Sequence, residues 1–176
     1  MRLIIVSDSH GNIANLQHVM GFAKKIGVEA VVHAGDWDNI ESVDAVLSFG
    51  IPLYAVLGNA DIDPRVGKRL KVRSKVFDEK FLVINTGGKR IGITHKPSDN
   101  KRYFFGEKLD LIVNGHLHSK YEAVAKSVRT SDLVGAKEDE SQATSVKIIR
   151  PGAIVKGINF AVYDTDTGKI DFVNYE

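Results

Sequence analysis

The chain contains no cysteine. Disulfide staples and thiolate metal sites are therefore excluded, and any transition metal must be held by histidine, carboxylate or amide groups. Long apolar runs are also missing. The most apolar stretch, "AVLSFGIPLYAVLG", is broken by Gly50 and Pro52 and falls short of a membrane span. "LIIV" near the N-terminus stops at "SDSH", too soon for the apolar region of a signal peptide. Both gaps lead to the expectation of a cytoplasmic enzyme or binding domain with no membrane partner. Charge of one sign is scarce as well, because 24 Lys and Arg stand against 22 Asp and Glu, and a net charge of +2 does not by itself argue for nucleic acid. The rest is ordinary for a soluble globular protein, with 43% apolar and 26% charged residues. A chain of 176 residues fits a single domain, 1–176, with a core that needs no staples.

Short apolar runs alternate with helical patterns: "LIIV" (3–6), a helix from about Asn12 to Lys25, "AVVHAG" (30–35), a helix near 39–49, and "PLYAVLG" (52–58). This βαβαβ order predicts a parallel sheet with helices on its faces. From about Leu70 to Thr94 the pattern changes to strands joined by "FDEK" and "TGGK", read as a meander or hairpins. Within it, "RLKVRSK" (69–75) read as a strand places Arg69, Lys71, Arg73 and Lys75 on one face. Such a face is either a nucleic-acid rail or an edge strand protected from aggregation by its charges, and the edge strand is the favoured reading. A helix near 97–106, a buried strand "LDLIVNG" (109–115) and two strands around a turn at Thr167 and Gly168 complete the pattern. Residues 126–145 hold few large apolar side chains and show no period, which predicts a long mobile loop.

Ligands of parallel sheets sit beyond the carboxyl ends of the strands, and the polar residues there form a pattern. "IIVSDSH" ends in Asp8 and His10, "VVHAGD" in Asp36, "YAVLGN" in Asn59, "IGITH" in His95 and "LIVNGHLH" in His116 and His118. In an extended chain, residues i and i+2 share one side about 6.7 Å apart along the strand, so His116 and His118 would face one spot. Each residue alone has a plain explanation. Asp8 or Ser9 could cap the next helix, Asp36 and Asn59 could be turn residues, and His95 could be a hydrogen-bonded core histidine. Those explanations do not account for the joint occurrence. Seven nitrogen and oxygen ligands are too many for one tetrahedral ion, and they suit two divalent ions that share a carboxylate. Asn12, in "DSHGN", either caps the first helix or donates to a phosphate oxygen at its start. His33 reads as a core residue or a support behind the ligands, and Trp37 as packing or a pocket wall.

The segments "DSH" (8–10), "GD" (35–36), "GNAD" (58–61), "TH" (94–95) and "GHLH" (115–118) resemble, in order, the motifs of the calcineurin-like metallophosphoesterases. The likeness spans about residues 1–164 and is greatest to the small bacterial and archaeal phosphodiesterases of that family. It implies an α/β fold, a four-layer α/β/β/α sandwich of two mixed sheets flanked by helices. It implies that Asp8, His10, Asp36 and His118 hold one metal and that Asp36, Asn59, His95 and His116 hold a second, with Asp36 bridging. The cofactors it implies are two divalent ions such as Mn, Ni, Fe or Zn. The activity it implies is phosphoester hydrolysis on a small substrate, diesters before monoesters, with Asn12 and Asn59 toward the phosphate. Three departures stand out. Ala60 occupies the place where many relatives have a histidine thought to protonate the leaving group, which leaves Asp61 as the candidate acid. Lys96 follows His95 where relatives often have glycine, and "RPGA" (150–153) replaces N-P-G-S with no role evident for Arg150. The rival reading is a non-catalytic protein-interaction scaffold of the same fold, since one retromer subunit resembles the family with a degraded site.

Overall fold

Alternation along the first strand sets the architecture. In β1 (Arg2–Val6), Leu3 and Ile5 point to one side and Ile4 and Val6 to the other, and all four are fully buried. A strand hidden on both sides needs a cover on each. The computed structural model describes residues 1–126 and 145–175, and it shows both covers. Ile4 and Val6 pack with Leu16, Val19 and Met20 of α1 (Ile13–Lys25), Val43 and Val46 of α2 (Ile40–Leu47), and Val66 and Leu70 of α3 (Pro64–Arg73). Leu3 and Ile5 instead meet a second sheet, through Ile91 and Ile93 of β6 (Lys89–Thr94) and Leu111 and Val113 of β7 (Leu111–Val113). Each such side chain contributes about 1.5–3 kcal/mol by leaving water.

The first sheet adds β2 (Ala30–His33), β3 (Leu53–Val56), β4 (Val76–Asp78), β10 (Ile158–Asp164) and β11 (Ile170–Tyr175), in the order β11-β10-β1-β2-β3-β4. Its β1 to β4 neighbours are parallel, while β10 and β11 are antiparallel to their neighbours. The second sheet adds β5 (Phe81–Thr86), β8 (Lys120–Lys126) and β9 (Ser145–Pro151), in the order β5-β6-β7-β9-β8, with a parallel centre and antiparallel edges. Outside it lies α4 (Asn100–Phe104), whose Phe104 packs on Leu109, Ile112 and Val146. The result is an α/β fold of two mixed sheets flanked by helices, as the family resemblance implied. Among the described residues no helix is long and apolar enough to cross a membrane.

Some expected elements change. The "RLKVRSK" strand is instead the end of α3 and the residues that follow it. Asp63 caps that helix by accepting from Arg65 N–H at 2.9 Å, Pro64 opens it, and Val66 and Leu70 bury one face four residues apart. Cations at almost every outward position imitated a period of two, and on a helix they do not form a single strand face. "FDEK" is no hairpin, because β4 lies in the first sheet and β5 in the second. Asp78 turns the chain between them by accepting N–H bonds from Lys80 and Phe81 at 2.8 and 3.2 Å. The helix expected near 97–106 is a 3₁₀ turn, Pro97–Asp99, followed by the short α4. Of the loop expected at 126–145, residues 127–144 lie outside the described residues, and Lys126 and Ser145 pair across β8 and β9.

Candidate metal centre

Six non-glycine residues of the described chain have positive φ: Asp8, His10, Asp36, Asp38, His116 and His118. Five of these are candidate ligands from the sequence, and the sixth touches one of them. Residues held in such conformations cost about 1–3 kcal/mol each and cluster at functional sites. The same angles correct the strand-tip picture. β7 ends at Val113, and His116 and His118 follow with φ of 71° and 57°. They converge through a left-handed turn rather than along a pleat, and Asp8 and His10 do the same after β1, with φ of 54° and 42°. Two glycines make room. A Cβ on Gly58 would lie 2.1 Å from Asp36 Oδ1, and one on Gly115 would lie 2.0 Å from Ser7 Oγ.

One ligand atom each from Asp8, His10, Asp36 and His118 falls within 4.8 Å of the others. The Nε2 atoms of His10 and His118 are 3.2 Å apart. Asp36 Oδ2 lies 3.5 Å from His10 Nε2 and 3.3 Å from His95 Nε2, so this oxygen stands between two groups of ligands. His95 Nε2 is 3.2 Å from Asn59 Oδ1, and the His95 and His116 rings are 5.2 Å apart. The backbone N–H of His116 donates to both oxygens of Asp8 at 3.1 Å. Two imidazoles also have their outer nitrogens held by the surrounding turns. His10 Nδ1 faces Asp38 at 3.1 Å, and His95 Nδ1 donates to Ala34 O at 2.8 Å. With a proton on Nδ1, each ring turns its Nε2 into the cluster, the orientation of metal-ligating histidine, and the proton that His95 Nε2 shares with Asp36 would leave when a metal binds. Buried carboxylates facing imidazole Nε2 atoms fit divalent cations that take N and O donors.

Burial pushes the Asp8 carboxyl above its usual range despite the nearby charges of His95 and His118. Burial would raise Asp36 too, but hydrogen bonds from His95 and from Ala60 N–H hold it at about 2. His95 rises, because its hydrogen bond to Asp36 and that group's charge outweigh burial. Burial lowers His116, and so do the charges of His95 and then Lys96. The half-buried Lys96 therefore acts electrostatically on the site, and it joins no ion pair among the described residues.

Of the supporting residues, Asp38 was not assigned from the sequence. Asp38 orients His10, and its only signal was its spacing two residues beyond Asp36. His33, buried and stacked on Trp37 with ring centroids 3.5 Å apart, links two turns. Its Nδ1 accepts from Gly35 N–H at 3.2 Å, and its Nε2 faces Ser9 Oγ at 3.2 Å, which donates to Asp36 O at 3.2 Å. Trp37 is fully buried and donates to Val56 O at 3.1 Å, so it serves packing. Asn12 Oδ1 caps α1 by accepting from Asn15 N–H at 3.1 Å, and its Nδ2 has no partner among the described residues. Arg150 lies over the Tyr121 ring at 4.4 Å and donates to Ser119 O at 3.4 Å, next to His118. Asp61 accepts four backbone hydrogen bonds, from Asp36 N at 3.1 Å, Trp37 N at 2.7 Å, Asp38 N at 2.9 Å and Gly58 N at 2.7 Å.

Residues 1–168 match the calcineurin-like phosphoesterase superfamily domain. Phosphodiesterase MJ0936 of Methanocaldococcus jannaschii is 22% identical over 129 residues, 68% of this chain and 75% of that protein. The structure of an archaeal phosphodiesterase superposes with a TM-score of 0.78 at 18% identity, covering 99% of this chain and 100% of that one. Vps29 of Chaetomium thermophilum superposes with a TM-score of 0.59 at 13% identity, covering 99% and 95% of the two chains. At these identities the two superpositions establish a shared fold.

Proposed function

The chain belongs to the calcineurin-like phosphoesterase superfamily, and from that membership we propose that it hydrolyses small phosphodiesters at a centre of two divalent ions. The observation that carries the reading is the clustering of strain, since all six positive-φ non-glycine residues of the described chain lie at one site. Asp8, His10, Asp36 and His118 would hold one ion, and Asp36, Asn59, His95 and His116 the other. When bound, the ions supply Lewis-acid polarisation of the phosphoryl oxygens and a nucleophile at neutral pH. The chain supplies the rest. Asp36 Oδ2, equidistant within a few tenths of an ångström from His10 and His95, would serve as the shared ligand. Asn59, the Nδ2 of Asn12 and the cation of Lys96, the last two without a partner among the described residues, offer donors and charge to a phosphate. Ala60 offers the leaving group nothing, so diesters with good leaving groups are preferred to unactivated monoesters. The donor set suits Mn, Ni, Fe or Zn, and the setting is cytoplasmic.

The scaffold reading draws on Ala60 and on the fold shared with Vps29. Convergence of the ligand side chains on one spot favours hydrolysis instead. The deciding experiment is an assay supplemented with each metal, run on parallel monoester, diester and nucleotide panels, with His118→Ala as control. Hydrolysis of diesters that the control loses is expected. A fully metallated protein that cleaves nothing on these panels would hand the site to the scaffold reading.

A further inference from the structure

We propose that Asp61 is a positioning residue, the resident anion of a backbone nest that aims Asp36 at both metal positions, and not the acid for the leaving group. The inference rests on the two-metal reading above. Asp36 and Asp38 are both left-handed, with φ of 60° and 70°, and the N–H groups of Asp36, Trp37 and Asp38 turn toward one point. Successive N–H groups in such a turn form a concavity that calls for an anion. In this chain the anion is the Asp61 carboxylate, with Oδ1 accepting from Trp37 and Asp38 and Oδ2 from Asp36.

Oδ2 also accepts from Gly58 N–H at 2.7 Å, so the same carboxylate joins the "GD" turn to the segment that carries Asn59. The connection is reciprocal. Asp36 Oδ1 accepts Ala60 N–H at 2.9 Å, which leaves Asp36 Oδ2 to face His10 and His95. What the clamp requires at position 60 is a backbone N–H, and alanine provides one as well as any other residue but proline. The acid role conflicts with this geometry. Both oxygens of Asp61 face N–H donors, and a proton placed on either would point at another proton. Turning the carboxyl toward a substrate would leave four amides without their acceptor.

Three measurements test the clamp. Mn²⁺ titration of the metal-free chain should show Asp61→Asn binding about 10- to 100-fold more weakly than wild type, the range for loss of a group that orients a ligand. At saturating Mn²⁺ the same variant should recover turnover, and its rates across a series of diesters should depend on leaving-group pKa as wild-type rates do. Unchanged Mn²⁺ affinity, or a loss that grows with leaving-group pKa and resists added metal, would overturn the proposal. The third measurement needs neither metal nor a folded variant. In metal-free wild-type protein the amides of Trp37, Asp38 and Gly58 should exchange hydrogen slowly, and fast exchange at all three would overturn the clamp. Because this readout is independent of metal, it decides the inference even where a wild-type chain that binds no Mn²⁺ would have ended the two-metal reading.

Discussion

The two sheets bring ligands to the centre by different means. Asp8, His10, Asp36 and Asn59 follow β1, β2 and β3, in turns tied to one another by Asp61, His33, Ser9 and Asp38. His95, His116 and His118 follow β6 and β7, and their fixing points belong mostly to the first sheet. His95 Nδ1 is bonded to Ala34 O, and His116 N–H to Asp8. The outer faces differ in the same sense. Three helices cover the first sheet, whereas the second has the five-residue α4 and beside it an apolar groove of about 210 Å³ lined by Phe104, Leu109, Ile112 and Ile148. One half of the site is preorganised by its own loops, and the other is held against it.

The largest effect expected from breaking that asymmetry is at Asp36. Asp36→Asn should lower occupancy at both metal positions and cut activity by more than the roughly 100-fold that outer groups reach. His118→Ala should spare the position built from Asp36, Asn59, His95 and His116. Metal analysis of the two purified proteins distinguishes these patterns, and identical losses would erase the distinction between the halves.

Stability should follow the same division. Ile5→Ala empties the space between the sheets and should cost about 2–5 kcal/mol. Phe104→Ala borders a groove already open and should cost less than the roughly 3–5 kcal/mol usual for such a truncation. Urea melts of both variants make the comparison, and equal costs would show the thin outer layer to be as well packed as the centre.

His33 supplies a pH test of the first half. Burial, aided by the charge of His95, lowers its pKa from 6.5 to about 3, so it is neutral in the folded protein. Between these values the unfolded chain binds the extra proton. Stability from this group is therefore complete above about pH 6.5 and is lost as pH falls toward 3, at up to about 1.4 kcal/mol per unit. His33→Gln should remove that part of the slope in melts of the metal-free protein at pH 7.5, 6 and 5. Parallel slopes for the two proteins would mean that His33 is protonated in the fold.

A smaller and selective effect is expected at Ala60. Ala60→His should speed hydrolysis of alkyl esters more than of p-nitrophenyl esters, within the ceiling of about 10²- to 10⁴-fold for a positioned acid. Equal gains on both would exclude leaving-group protonation as the missing function. The smallest effects belong to α3. Lys71→Ala and Arg73→Ala, on exposed positions, should each change stability by less than about 0.5 kcal/mol and leave activity on small diesters intact. Salt-sensitive binding of an oligonucleotide, lost in these variants, would revive the nucleic-acid rail in helical form.

By itself the sequence determined the local grammar. Apolar runs that stop at glycine or at a polar pair located β1, β2, β3, β6 and β7 and the candidate ligands beyond them, because burial ends where a strand does and the residues that follow have no apolar partner. "TGGK" and the turn at Thr167 and Gly168 announced the β5–β6 and β10–β11 hairpins for the same local reason. The structure of residues 64–73 required more than local pattern. Alternating cations looked like a strand, and packing of Val66 and Leu70 against the first sheet selected the helix. The strand pair β8 and β9 depended on a partner across an intervening segment, which no local period reports. The roles of Asp38, Asp61 and His33 were also decided only by the tertiary structure. Their partners are mostly backbone N–H groups and side chains more than twenty residues away, as in the pair of Asp61 with Trp37 and that of His10 with Asp38. Every residue except proline carries such an N–H, so its identity leaves no mark in sequence, and only the folded turns show which carboxylate it meets.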